Sequence, residues 1–185
     1  EQHGDVVIKR FHDKPEVDRI IEKTVFALHA AQALPGLEQL LLDKRANGIL
    51  VTRYMPGVDF GHLDIAAAER IPSEHVGGVA AILAGMQSRD LVTDPNHKNF
   101  LYDSEGGFSI IDFKHGRFLL QPQRLIGKLM TFISALEYSP NFSFKDKRTD
   151  LAPDDFAAFA ERVTALEVSW IDIFRDHFSD DDGLD

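Results

Sequence analysis

The stretch LVTDPNHKNFLYD, residues 91–103, concentrates polar side chains between two apolar segments. It contains Asp94 and, after four intervening residues, Asn99. A second aspartate, Asp112, follows eighteen residues after the first, in FSIIDFKHG. An isolated Asp and Asn in a loop usually make a turn. Carboxylate and amide oxygens that converge on one place can also bind a hard metal ion or position a proton.

The transfer of a γ-phosphoryl group requires a cation for the phosphates, a carboxylate that orients the attacking hydroxyl, and oxygen ligands for Mg²⁺. The chain supplies this set in sequence order as Lys9, Asp94, Asn99 and Asp112. The spacing between Asp94 and Asn99 lets one loop direct both side chains into a single site. A structural interpretation is open for Lys9, as a solvated strand residue, and for Asp112, as a strand-end cap.

Several segments resemble motifs of the protein-kinase-like family. VVIK resembles the strand-three lysine motif, VTDPNHKN resembles the catalytic loop H-R-D-x-x-x-x-N, and IIDFK resembles D-F-G. The resemblance implies that Lys9 and Asp94 are catalytic. It implies that Asn99 and Asp112 bind Mg²⁺ and, together with Lys9, bind ATP.

Two further segments extend the resemblance. ILVTRYMPG is similar to the strand and hinge that hold adenine, which implies that backbone groups of Arg53 and Met55 face the base. Glu22 in the first predicted helix matches the helix-C glutamate that pairs with the lysine, and it joins the catalytic set on that ground. Glu16 is the weaker match, because it lies nearer the start of the helix.

Residue patterns predict an α+β chain. They indicate a strand over residues 5–11, a helix with Pro15 near its start, a hairpin turning at Asn47-Gly48, a helix from about Ser73, and a hairpin that includes NFLYD and FSIIDF. Two apolar stripes predict C-terminal helices: Leu125, Leu129, Phe132, Ile133 and Leu136, then Phe156, Phe159, Val163, Trp170, Phe174 and Phe178.

The resemblance implies a minimal protein-kinase-like, two-lobed fold. Residues 1–56 would form the N-lobe, an antiparallel sheet plus helix C, and the hinge. Residues 57–185 would form a reduced helical C-lobe, with the catalytic loop over residues 92–100 and the metal-binding hairpin over residues 100–114. The glycine-rich phosphate loop has no match in the sequence, which begins just before the lysine strand; either the chain is trimmed or those strands precede it.

Other positions depart from the protein-kinase motifs and narrow the range of kinases that the chain resembles. Val92 and Thr93 occupy the positions of His and Arg, Lys114 replaces the Gly of D-F-G, and no A-P-E motif follows. The segment KHGRFLLQPQ contains no Ser, Thr or Tyr. Activity is therefore expected to need no activation-loop phosphorylation. We also expect His97 to face solvent in its turn, with a substrate or phosphate contact as the open alternative.

Among kinases, the chain looks most like the small effector kinases that Gram-negative bacteria deliver by type III secretion, which carry an Asn at the position of Asn96. That likeness implies an ATP- and Mg²⁺-dependent serine/threonine protein kinase that is secreted into a host cell, acts on a host protein and has a host partner as candidate activator. Three alternatives stay open: a pseudokinase binding module, a small-molecule phosphotransferase of the aminoglycoside-kinase type, and an unrelated fold. The alternative location is the bacterial cytoplasm.

Composition excludes several other classes. The 185 residues carry a net charge of −10, which disfavours a nucleic-acid surface. The absence of Cys rules out thiolate metal sites and Cys nucleophiles. No apolar run reaches the roughly 20 residues that span a bilayer, so we expect no membrane span.

Overall fold

The computed structural model describes residues 2–12, 16–94, 96–116, 124–130 and 153–178. These residues form an α+β structure with small antiparallel sheets and several helices, which confirms the predicted class. The helices are α1 (Val17–Ala30), α2 (Ile65–Glu69), α3 (Ser73–Gln87), α4 (helical residues 124–130) and α5 (Pro153–Arg175). The strands are β1 (Gln2–His3), β2 (Val6–Arg10), β3 (Leu40–Lys44), β4 (Ile49–Arg53), β5 (Val58–Asp59), β6 (Leu91–Thr93), β7 (Phe100–Asp103), β8 (Gly107–Ile110) and β9 (Phe113–His115).

The largest sheet has the strand order β1-β2-β4-β3 and is antiparallel throughout. Helix α1 follows β2 in the chain and contacts β3 and β9. It buries Ile21, Val25 and Leu28, which recur at helical spacing and so form one apolar face. The predicted strand over residues 5–11 and the helix after it are both confirmed, although Pro15 lies outside the described residues.

The predicted hairpin between β3 and β4 is also confirmed. Its connection is a short 3-10 turn over Arg45–Asn47 that ends at Gly48, with φ of 60°. This left-handed conformation costs glycine little, because glycine has no Cβ. The Gly48 carbonyl accepts a hydrogen bond of 2.9 Å from the Phe11 amide, which ties the turn to the end of β2.

A second sheet has the order β5-β7-β8, and β6 pairs with β9 in a third. The β7–β8 hairpin and helix α3 confirm two further predictions. The segment before β3 reaches the second sheet, because the Ile110 amide donates to the Gly36 carbonyl at 2.8 Å and the Glu38 amide donates to the Ile110 carbonyl at 3.2 Å. Glu38 is therefore fixed between the first and second sheets.

Helix α5 closes the core. The Trp170 ring lies 5.8 Å from the Phe60 ring and 5.9 Å from the Phe108 ring, centroid to centroid. The predicted apolar stripes are confirmed where they are described, because the following members are buried: Leu125, Leu129, Phe159, Trp170, Phe174 and Phe178. The side chains of residues 132, 133, 136 and 156 lie outside the described part.

A surface contact adds to this docking. Arg162 of α5 donates two hydrogen bonds, of 2.8 and 2.6 Å, to the two carboxylate oxygens of Glu69 in α2. The hydrogen bonds from Arg162 lower the pKa of the Glu69 carboxyl. Within the described ranges, no helix is both long and apolar enough to cross a bilayer.

We predict that Trp170→Ala lowers the free energy of unfolding by about 3–5 kcal/mol, because it removes a buried ring from an aromatic cluster. Val168→Ala, at a position 53% exposed on the same helix, is the control and should change it by less than about 0.5 kcal/mol. Urea unfolding followed by circular dichroism measures both. Equal losses in the two variants would contradict the packing of α5 against the core.

Candidate functional site

Lys9 of β2 forms an ion pair with Glu38. The Lys9 Nζ lies 2.8 Å from Glu38 Oε2, and the Glu38 side chain is only 5% exposed against 25% for Lys9. A buried carboxylate is costly unless hydrogen bonds and an opposite charge satisfy it. The pair therefore holds the lysine ammonium at a defined place while one side of it stays open to solvent.

The partner of Lys9 differs from the predicted one. Glu22 is exposed on α1, and Lys9 pairs with Glu38 instead. The reason lies in the helix phase, because α1 directs Ile21, Val25 and Leu28 into the core while Glu22 faces solvent. The weaker match, Glu16, is exposed and lies beside Arg19 on the same helix. The expected helix-C ion pair is wrong for this structure.

Glu38 accepts hydrogen bonds from two more groups. Its Oε1 accepts from the Thr52 hydroxyl at 2.8 Å, and its Oε2 accepts from the Asp112 backbone amide at 3.4 Å. The Lys9 ammonium and the Asp112 amide thus share one carboxylate oxygen. Two predicted site residues that are far apart in sequence meet at Glu38, which the sequence interpretation did not include.

Asp112 has an unusual backbone conformation. Its φ is 55°, in the left-handed region that residues with a Cβ rarely occupy, although Asp tolerates it better than most. Its side chain is exposed, and within the described residues no donor engages its carboxylate. Non-glycine residues held in such conformations cluster at functional sites, where the surrounding structure enforces them. Here the hydrogen bond from the Asp112 amide to Glu38 helps to hold the conformation.

The loop that carries Asp94 is held by internal hydrogen bonds. The Asn96 side chain accepts from the Lys98 amide at 3.1 Å, and the Asn99 amide donates to the Asn96 carbonyl at 2.9 Å. The Asn99 side-chain Nδ2 donates to the Asp94 carbonyl at 3.2 Å. Because the NH₂ group is used in this way, the side-chain oxygen of Asn99 is left to accept a ligand.

The same loop is joined to the segment that carries Asp112. The Ile111 amide donates to the Asn99 carbonyl at 2.9 Å, one residue before Asp112. Hydrogen bonds, mostly of the backbone, therefore connect the segments that carry Lys9, Asp94, Asn99 and Asp112. The connection runs from Lys9 through Glu38 to Asp112, and from Ile111 through Asn99 to Asp94.

Asp94 has a further contact that the sequence did not reveal. Its Oδ1 lies 3.2 Å from the Nζ of Lys114, and the two side chains are 72% and 63% exposed. Lys114 belongs to β9, where it pairs with Val92 of the strand that leads into the loop. The lysine at the glycine position of D-F-G therefore contacts the candidate base.

His97 is buried, so its expected solvent-facing position is wrong. Its Nδ1 lies 3.0 Å from Asp59 Oδ1, and the second oxygen of that carboxylate lies 2.8 Å from His62 Nδ1. A Cβ at Gly61 would overlap the His97 ring, so glycine is needed for this close approach. His97 and Asp59 thus fix the loop to the turn after β5.

For the predicted hinge residues Arg53 and Met55, contact of their backbone groups with adenine stays a prediction. The Arg53 amide donates a hydrogen bond of 2.9 Å to the carbonyl of Gln39, the residue before β3, so this amide already has a backbone partner. Arg53 and Met55 line a cavity of 550 Å³ together with residues 32–37 and 39–41. None of the residues that line it is Lys9, Asp94, Asn99 or Asp112. This cavity therefore does not join the hinge to the polar site.

A second cavity, of 390 Å³, is lined by α3 and by two segments rich in glycine and apolar residues, 34–36 and 106–108. His75 contributes to its wall, and the His75 Nδ1 lies 3.3 Å from the Tyr102 hydroxyl. Burial raises the pKa of Tyr102. This cavity is also separate from the polar site.

Asn99 and Asp112 fit Mg²⁺ only if water and the phosphates of a substrate supply the other ligands of the ion. In the described part of the chain, no group of three or more His, Asp or Glu side chains could enclose a metal. Asn99 and Asp112 offer one amide oxygen and one carboxylate. Mg²⁺ keeps several waters and commonly takes one or two protein ligands plus substrate phosphates. Asn99 and Asp112 would be the one or two protein ligands of such an ion.

We predict that Glu38→Gln lowers the free energy of unfolding by about 1–3 kcal/mol, because the Lys9 ammonium loses its charged partner and the new amide cannot satisfy all three donors. Glu22→Gln is the matched control and should change stability by less than about 0.5 kcal/mol. Urea unfolding of both variants is the measurement. A larger loss of unfolding free energy in Glu22→Gln than in Glu38→Gln would contradict the Lys9–Glu38 pair and support the pairing of Lys9 with Glu22.

Comparison with known proteins adds no relative to this picture. No family model matches the sequence, and no curated protein is significantly similar to it. The interpretation of the site therefore rests on the short motifs around Lys9, Asp94 and Asp112 and on the contacts that connect them.

Proposed function

We propose that the chain is an ATP-dependent phosphotransferase with a minimal protein-kinase-like fold, and that its acceptor is a hydroxyl group of a protein. One observation carries the proposal. The Lys9 ammonium and the Asp112 amide share Glu38 Oε2, and Asn99 connects the next residue along, Ile111, to Asp94. A phosphate-binding cation, two metal-ligand candidates and a candidate base are thereby held in one connected network.

The topology supports the same proposal. For residues 1–56, the resemblance implies an antiparallel sheet in which a helix follows the lysine strand, and α1 follows β2 in this way. For residues 57–185, it implies a reduced helical unit with an embedded hairpin. In the chain, the β7–β8 hairpin follows α2 and α3 and precedes α5, in agreement with that expectation.

The reaction follows from the residues in these positions. The acceptor oxygen forms a bond to the γ-phosphorus, the bond from that phosphorus to the β,γ-bridging oxygen breaks, and ADP leaves with the electron pair. The hydroxyl proton passes to the Asp94 carboxylate, which orients the acceptor. Lys9, held by Glu38, binds the phosphates. Mg²⁺ held by Asn99 and Asp112 would supply further neutralisation of phosphate charge when bound.

The exposure of Asp94 supports a large acceptor. Its side chain is 72% exposed, so a hydroxyl on a protein surface can reach it without entering an enclosed pocket. This favours a protein over the small acceptor of an aminoglycoside-type enzyme. The serine/threonine class, the host protein substrate and delivery into a host cell rest on the resemblance to type III effector kinases alone.

A second candidate function is a nucleotide-binding module without transfer. The observation that favours it is the ion pair between Asp94 and Lys114, because an ammonium on Oδ1 competes with the acceptor hydroxyl for the carboxylate. In such a pseudokinase, the Lys9–Glu38–Asp112 network would bind nucleotide and Asp94 would have no catalytic role. Substitution of Asp94 separates the two functions.

We predict that Asp112→Ala abolishes both Mg²⁺-dependent ATP binding and phosphoryl transfer, because the metal loses its carboxylate ligand. Asp94→Ala should keep ATP binding and lower turnover by about 10²–10⁴-fold, the usual contribution of a positioned base. Transfer from radiolabelled ATP to a generic protein acceptor, and the melting temperature with and without ATP and Mg²⁺, measure the two effects.

Asp176→Ala is the control, because Asp176 is exposed and lies after α5, far along the sequence from these motifs. It should retain both ATP binding and transfer. Full transfer by Asp112→Ala would end the kinase assignment. ATP-dependent stabilisation of the native chain without transfer to any acceptor would instead favour the pseudokinase module.

A further inference from the structure

We infer that Lys114 is a catalytic residue that contacts the transferred phosphoryl group, an inference that rests on the proposed phosphotransferase function. Its Nζ lies 3.2 Å from Asp94 Oδ1, the oxygen that would receive the acceptor proton. Base, acceptor and phosphoryl group are adjacent in the proposed reacting complex, so a cation in contact with the base is within reach of the phosphoryl oxygens.

The strand pairing explains why this position is defined. In the β6–β9 ladder, Val92 pairs with Lys114 and Thr93 pairs with Phe113. The Phe113 side chain is buried while Lys114 is exposed, so the alternation along β9 directs the lysine away from the core. Asp94 follows directly after β6. The backbone of Lys114 is thus fixed two residues after Asp112. It lies opposite Val92 of β6, the strand that leads into the Asp94 loop.

The ion pair itself contributes little to stability. Both side chains are more than half exposed, and ion pairs of that kind are weak and screened by salt. Little free energy is therefore lost when the Lys114 ammonium leaves Asp94 for an anion of higher charge. The γ-phosphate of ATP carries more charge than one carboxylate, and the flexible lysine stem allows the ammonium to move to it.

The other cations of the site are less suited to this role. Lys9, the proposed ligand of the nucleotide phosphates, contacts Glu38, and within the described residues it makes no contact with Asp94. Lys98 is exposed on the loop, and within the described residues no carboxylate engages its ammonium. Lys114 is the lysine in direct contact with the candidate base.

In the reaction, Lys114 transfers no proton. As the acceptor oxygen bonds to phosphorus and the bridging oxygen leaves with ADP, negative charge spreads over the phosphoryl oxygens. The ammonium donates hydrogen bonds to those oxygens and offsets the charge. Its departure from Asp94 also frees the carboxylate to accept the hydroxyl proton. One movement therefore serves both groups.

The test compares Lys114→Ala and Lys114→Arg with Lys23→Ala, an exposed lysine on α1, as the control. We expect Lys114→Ala to lower kcat by about 10²-fold, the typical effect of removing one charge-stabilising donor. We also expect it to lose the preference for ATP over ADP that the γ-phosphate contact provides. Lys114→Arg should recover most of both properties, because it keeps the positive charge.

Each contrary result has a distinct meaning. If Lys114→Ala keeps the kcat and the ATP-to-ADP affinity ratio of Lys23→Ala, or turns over faster than the native chain, the inference is overturned and the proposed function stands. A larger loss in Lys98→Ala than in Lys114→Ala would also overturn it. If the native chain binds ATP but transfers nothing, the proposed function fails, and the affinity ratio alone tests the phosphate contact. Native chain that binds neither nucleotide overturns both.

Discussion

Glu38 places a carboxylate where water is nearly excluded, and the arrangement around it follows from the need to satisfy that charge. Its two oxygens accept from the Lys9 ammonium, the Thr52 hydroxyl and the Asp112 amide. Removing any one donor leaves an oxygen under-satisfied in a buried place, which is costly. The carboxylate therefore fixes its three partners relative to one another. It joins the lysine strand to the segment that follows β8.

The remaining site residues are fixed by a second set of polar contacts. The Asn99 carbonyl accepts from the Ile111 amide, and the His97 ring meets the Asp59 carboxylate beneath the loop. These bonds hold the loop backbone, while the Asp94 and Asp112 side chains stay exposed. In the proposed transfer, the held loop backbone would position the Asp94 and Asp112 carboxylates before the substrate arrives.

The sequence was informative where local pattern decides structure. The apolar spacing of α1, the helix from about Ser73, the turn at Asn47-Gly48 and the β7–β8 hairpin all depend on neighbouring residues, and the structure agrees with each. The strands β5, β6 and β9 were not predicted, because two or three residues are too few to show an alternation. The motif order also identified Lys9, Asp94, Asn99 and Asp112 as residues that belong together, and the network connects them.

Tertiary contacts explain the failures. Glu38 lies in an irregular segment between α1 and β3, and nothing local marks it as the partner of a lysine 29 residues earlier. Glu22 was chosen from helix position alone, but the core face of α1 turns it to solvent. His97 was expected to be exposed because its loop is polar, whereas burial depends on Asp59, 38 residues away, and on the space at Gly61. The contact of Lys114 with Asp94 depends on the register of β6 and β9, which the sequence alone does not show.

The central claim is that nucleotide and metal bind at the network around Glu38, and the most direct measurement is paramagnetic relaxation by Mn²⁺ with ATP in a ¹⁵N-labelled chain. Mn²⁺ takes the oxygen ligands that Mg²⁺ takes and broadens amide signals near it. If nucleotide and metal bind at this network, the Asn99, Ile111 and Asp112 amides should show selective, ATP-dependent broadening, with the Trp170 amide unaffected. Broadening centred instead on Gly78 and Gly107, which line the 390 Å³ cavity, or no ATP-dependent broadening at all, would contradict it.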